Sequence, residues 1–140
     1  MALSASSLKV GDSKTLVVVD DLTRTQIVMY AGAGGDYNPL HSDDKFTKEI
    51  AGYPGVFAHG MLTMGMTGRI ITDWVGDGRI TMYEVQFRVQ VWPGDTLTAK
   101  ATVTNIYKDG DQNLADFDIE TTNQKGETVL IGKASANIDA

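Results

Sequence analysis

Apolar and polar residues alternate most plainly between positions 83 and 104. Tyr83, Val85, Phe87, Val89 and Val91 interleave with Glu84, Gln86, Arg88 and Gln90. Leu97, Ala99, Ala101 and Val103 interleave in the same way with Thr98, Lys100, Thr102 and Thr104. A period of two is that of a strand with one face buried. Pro93-Gly94-Asp95 between the two runs is turn chemistry. Lys108-Asp109-Gly110-Asp111 turns into a further strand with Ala115, Phe117 and Ile119 inward. Asn123-Gln124-Lys125-Gly126 turns into a last one, through Val129 and Ile131 to Ile138. The pattern predicts four strands in a meander, preceded by a short β-branched strand over 15–19.

The period becomes helical upstream of the meander. Met61, Met64, Gly65, Gly68, Ile71 and Val75 recur at helical spacing and predict a long helix over 60–74. Thr23 with Gln26 matches a capping box, with Leu22 placed as a hydrophobic staple. The helix it opens carries Ile27, Tyr30 and Ala31 on one face, and the glycines from Gly32 are expected to end it. Asp43 and Asp44 open a second short helix, with Phe46 and Ile50 inward and Gly52 closing it. One-sided strands need a cover, and the 60–74 helix is the element to lie across them. The class is α+β, one domain over 1–140.

Composition narrows the functions open to such a domain. Of 140 residues 42% are hydrophobic and 21% charged, which is globular rather than disordered character. A formal net charge of −6, without a basic stripe, argues against a nucleic-acid partner. The absence of cysteine excludes disulfides, a thiolate nucleophile and thiolate metal sites. Apolar runs are too short to span a bilayer, and the first seven residues lack the features of a secretory leader. A cytoplasmic setting without membrane contact is expected.

Chemistry concentrates in two stretches. Gly35-Asp36-Tyr37-Asn38-Pro39-Leu40-His41 sets a carboxylate and an imidazole on a backbone that Pro39 and the preceding glycines keep from regular helix. Together they can hold one water between a proton acceptor and a proton donor. Phe57-Ala58-His59-Gly60-Met61-Leu62 opens the long helix, whose first amides point outward unpaired. Such donors suit a carbonyl oxygen acquiring negative charge. Hydration across a C=C conjugated to a thioester needs both parts.

GDYNPLH followed by AHGML resembles the MaoC-like dehydratases, the R-specific enoyl-CoA hydratases or hydratase 2 family. The likeness extends from the capped helix near Thr23 through the meander. AHGMLTMG and the short length are most similar to the catalytic β-type subunits of mycobacterial (3R)-hydroxyacyl-thioester dehydratases. The resemblance implies a hotdog fold, a long central helix wrapped by an antiparallel sheet, with two such domains pairing their sheets. It implies reversible hydration of a trans-2-enoyl thioester of coenzyme A or acyl carrier protein to the (3R)-3-hydroxyacyl thioester, without metal or organic cofactor. Asp36 and His41 match the family's catalytic pair, and Gly60 the glycine whose amide holds the thioester carbonyl. Asp36 on the water and His41 at C2 is the preferred division of labour. Asn38 and His59 are expected to support the loop, Asn38 equally as a turn residue ahead of proline. The partner is an identical chain or a related hotdog subunit. Thioester hydrolysis and a purely acyl-binding subunit of a heterodimeric dehydratase are the alternatives.

Some positions depart from that pattern or carry other readings. Where certain relatives place a serine eight residues after the oxyanion glycine, this chain has Gly68. Gly65 and Gly68, one helical turn apart, leave room either for an acyl channel or for close helix–sheet packing. His59 with His41 and Asp43 lacks the spacing of a metal site. Gly32-Ala33-Gly34-Gly35 follows a helix rather than a strand, unlike a nucleotide-binding loop. Asp116, Asp118 and Glu120 read as a solvated strand face. Lys45, Arg69, Arg79 and Arg88 are scattered cations with no cluster to mark a coenzyme's phosphates.

Overall fold

The computed structural model describes residues 7–138, so the first six residues, where a leader was sought, lie outside them. In chain order, β1 (Ser13–Val19) leads to α1 (Arg24–Gly34), a 3-10 turn (Pro39–His41) and a π turn (Phe46–Ile50). Then come α2 (Gly60–Val75), β2 (Ile80–Phe87), β3 (Leu97–Asp109), β4 (Gln112–Thr122) and β5 (Thr128–Asn137). The strands form one antiparallel sheet in the order β1-β3-β4-β5-β2. No helix among the described residues is long and apolar enough to cross a membrane.

The α2 helix lies on the face built from the alternating inward residues. Ala99, Ala101, Ala134 and Ala136 are fully buried there, and their short side chains let the helix backbone come close. Ile70, Ile71 and Val75 fill the space above, and Trp74 tilts onto Phe117 at 5.4 Å between ring centroids. Thr67 and Thr121 are fully buried polar residues in this layer, and their hydroxyls bond each other at 2.9 Å. Phe117, Ile119 and Ala115 face inward as the alternation predicts.

The strand order corrects the four-strand meander. Only β3, β4 and β5 follow one another, while β2 pairs with β5 at the far edge and β1 takes the place beside β3. The connection after β2 is tied to the entrance of α1. Gly94 N–H donates to the Leu22 carbonyl at 2.7 Å, and Leu22 N–H to that of Asp95 at 2.9 Å. Leu97 then enters opposite Val19 instead of returning along β2. At the other edge Gly132 permits the close approach of β2, since a Cβ there would stand 2.5 Å from the Glu84 carbonyl oxygen.

Local expectations are met at the Thr23 cap, where both halves of the capping box form. The helix does not stop at Gly32. It runs to Gly34 and ends at Gly35, which adopts φ 70° and donates its N–H to the Ala31 carbonyl. The second short helix is π-type, with Ala51 N–H bonded to the Phe46 carbonyl. That wider turn brings Thr47 inward and leaves Ile50 73% exposed, contrary to the expected Phe46–Ile50 face. On α2 the inward face includes Thr63 and Thr67, while Met61 is exposed. The 83–91 alternation also outlasts its cover. Pairing ends at Phe87, and Phe87 and Val89 remain 49% and 43% exposed.

Candidate active site

The Gly35 cap ends α1 and delivers Asp36 to a short loop in front of the 3-10 turn. Asn38 works in both directions on that loop. Its N–H donates to Asp36 Oδ1 at 3.2 Å, and its Oδ1 accepts from Leu40 N–H at 3.0 Å. Pro39 starts the turn with its fixed φ, and the turn directs the His41 side chain inward. Thr47 lies below the turn, its hydroxyl 3.4 Å from the Pro39 carbonyl and donating to that of Asp43 at 2.6 Å.

His41 Nδ1 lies 2.7 Å from the Phe57 carbonyl oxygen. A carbonyl only accepts, so Nδ1 carries the hydrogen and Nε2 is left for chemistry. Nε2 stands 3.9 Å from Asp36 Oδ2, beyond direct hydrogen-bond reach and a spacing that one water touching both atoms would fit. The two groups differ in surroundings, with His41's side chain 10% exposed and Asp36's 55%. The Phe57 ring meets His41 edge-on at 5.4 Å and is itself braced by Tyr53 and Trp92.

His59 stacks on His41 with ring centroids 3.7 Å apart and 26° between planes. It is the residue preceding α2, so the stack places the start of that helix against the imidazole. The Gly60 amide, first of the helix, has no hydrogen-bond partner among the described residues. Beside it opens a cleft of about 240 Å³ lined by Phe57, Gly60, Thr63, Phe87, Val89 and Val129. Phe57 thus walls the cleft with its ring and orients His41 with its carbonyl. A larger hollow of about 520 Å³ lies over Glu84, Asp118, Glu120 and Lys133 on the sheet, and none of the site residues lines it.

The structure therefore brings Asp36, His41, Asn38, His59 and Gly60 together. Asp36, His41 and His59 each offer a ligand atom within 4.8 Å of the others, a grouping in which Asp36 stands where the sequence considered Asp43. An ion bound to an imidazole must lie in the ring plane. Two rings stacked at 3.7 Å and nearly parallel cannot both meet that condition at one point, so the set does not fit a metal. Gly68 is occupied by packing, because Tyr83 Cε1 would stand 3.2 Å from a Cβ there. Gly65 faces open space. Of the scattered cations, Arg88 lines the cleft beside Gly60, while Arg69 lies beside Asp73 and the Val18 carbonyl. Arg24 bonds Asp44, whose Oδ1 accepts from Val56 N–H at 3.1 Å. That anchor and the Phe57 carbonyl escaped the sequence reading, and a main-chain acceptor leaves no residue signature to read.

The MaoC-like domain model matches residues 8–125. The 3-hydroxyacyl-thioester dehydratase Y of Mycobacterium tuberculosis is 37% identical over 83 residues, covering 57% of this chain and 29% of that protein. The peroxisomal enoyl-CoA hydratase 2 of Arabidopsis thaliana is 30% identical over 129 residues, covering 90% of this chain and 39% of that protein. The chain thus spans well under half the length of these two curated relatives. Among solved structures, the (R)-hydratase from A. caviae involved in PHA biosynthesis superposes with a TM-score of 0.81 at 26% identity, over 94% of this chain and 97% of that one. The fold is the hotdog of these hydratases, and the chain belongs to the MaoC-like dehydratase family.

Proposed function

We propose that the chain hydrates trans-2-enoyl thioesters reversibly to (3R)-3-hydroxyacyl thioesters, working as a single hotdog domain paired with a second one. The observation that carries this reading is the 3.9 Å gap between Asp36 Oδ2 and His41 Nε2, with the opposite ring nitrogen of His41 held by a carbonyl. Both groups orient one water in that gap. Asp36 takes its proton as the oxygen bonds to C3. The C=C electron pair moves onto the thioester oxygen, which the Gly60 amide holds. The proton taken by Asp36 passes across the gap to His41 Nε2, which delivers it to C2 as the charge returns, so one molecule of water is added, both groups regain their starting states and no other reagent is consumed. The reverse order of transfers expels water from the hydroxyacyl form.

The Phe57–Phe87 cleft beside Gly60 offers an apolar wall for part of the substrate. Pairing is supported by β2, an edge strand that ends at the exposed Phe87, with the exposed Val89 just beyond it. A second copy, or a related hotdog subunit, would cover both. The test is purified chain mixed with crotonyl-CoA. Loss of the conjugated enoyl absorbance, without thiol release and with (3R)-3-hydroxybutyryl-CoA as product, is expected. Thiol release in place of hydration would make the protein a thioesterase and end this reading.

A further inference from the structure

His59 touches both the Asp36 main chain and the His41 ring. Its Nε2 lies 3.0 Å from the Asp36 carbonyl oxygen, its ring lies on His41, and the edge of Tyr30 closes the other side at 4.9 Å. Gly60 follows it directly in the chain. The residue is 2% exposed. Because the Asp36 carbonyl can only accept, the hydrogen sits on Nε2. Nδ1 then keeps its lone pair, buried and with no partner.

An orphaned buried nitrogen is unfavourable, and a phenyl ring would fill the same space without it. Packing alone therefore does not account for an imidazole here, whereas the hydrogen given to the Asp36 main chain does. That hydrogen matters because Asp36 follows Gly34 and Gly35 on a loop, with an exposed side chain otherwise steadied only by the Asn38 amide. We infer that His59 is a positioning residue of the proposed hydratase site, setting the Asp36 carboxylate and the His41 ring at their working separation beside the Gly60 amide. It acts through the Asp36 carbonyl and the face of His41, and it exchanges no proton with substrate.

This inference rests on the hydratase reading, and its test separates the two. His59→Phe keeps a ring to stack and removes the donor. His59→Gln keeps a donor near the place of Nε2 and removes the ring. With crotonyl-CoA, His59→Phe should lower kcat on the order of tenfold or more while KM stays within about threefold, and His59→Gln should recover much of that loss. Thermal melting of each variant shows whether it is folded. A folded His59→Phe with unaltered kcat, an effect confined to KM, or a His59→Gln no better than His59→Phe would overturn the role. Where a variant does not fold, nitrogen NMR of the unmodified protein decides, since a neutral His59 with its hydrogen on Nδ1 also overturns it. An unmodified chain inactive on enoyl thioesters sinks the hydratase reading instead.

Discussion

Phe87 lies across Gly60, so that a Cβ at position 60 would stand 2.9 Å from Cε2 of the ring and 3.0 Å from Cδ2 and Cζ. The glycine is thus required by the edge strand whose last residue crosses it. Gly60→Ala should force the ring aside and cost about 1–3 kcal/mol of stability, the range of an overpacked contact. In a Phe87→Ala background the same change should cost much less. Denaturant unfolding of the four proteins measures this, and additive effects would show that the contact is not made.

Asp36→Asn and His41→Ala remove one member each of the proposed acid–base pair. Turnover of crotonyl-CoA should fall on the order of a hundredfold or more, with the melting temperature nearly unchanged for Asp36→Asn because that side chain is largely exposed. A variant of either kind retaining near-normal rates contradicts the assignment.

Gly68 and Gly65 should respond in opposite directions. Tyr83 fills the space over Gly68 and donates its hydroxyl hydrogen to the Met64 carbonyl at 2.7 Å. Burial pushes the phenol well above its ordinary value, so this donor persists across the working pH range. Gly68→Leu must displace the ring and should cost about 1–3 kcal/mol or more, with no change in preference between short and long enoyl thioesters. Gly65 faces open space on the helix, and Gly65→Ala should gain about 0.5–1 kcal/mol. A loss at position 65 would mean that another surface packs there.

Asp44 anchors the segment that carries the Phe57 carbonyl. The Arg24 guanidinium hydrogen-bonded to it, and then the Val56 N–H, hold its carboxyl below the usual value of 3.8. A carboxyl depressed in the folded state stabilises above its unfolded value, and that contribution is lost as pH falls through the lower folded one. Asp44→Asn should therefore melt earlier at neutral pH, and its deficit should shrink once pH drops below 3.8. Melting curves over that range settle it, and a constant deficit would remove the carboxylate from the account.

Much of the local structure is legible in the residues themselves. The Thr23–Gln26 reciprocal cap, the alternation through Ala99, Ala101, Phe117 and Ile119, and the start of α2 at Gly60 all follow from spacing. The nearness of Asp36 to His41 follows too, because a proline-bearing loop of fixed length joins them. These features depend on bonds between neighbours in the chain, and neighbours are what a sequence states directly.

Other decisions were made across the fold. β2 pairs with β5 rather than β3 because the loop after it is tied to Leu22 and because Gly132 admits its backbone. Phe87 and Val89 alternate like core residues yet stand uncovered, since periodicity records that a face is apolar and not what lies over it. The tautomer of His41 is set by a carbonyl that any residue at position 57 would supply, and the stack on His59 by the meeting of two loops. Position along the chain fixed which side chains were available for acid–base work. Only the three-dimensional packing decided which nitrogen faces Asp36, because that choice belongs to main-chain atoms and to distances between segments that no residue identity encodes.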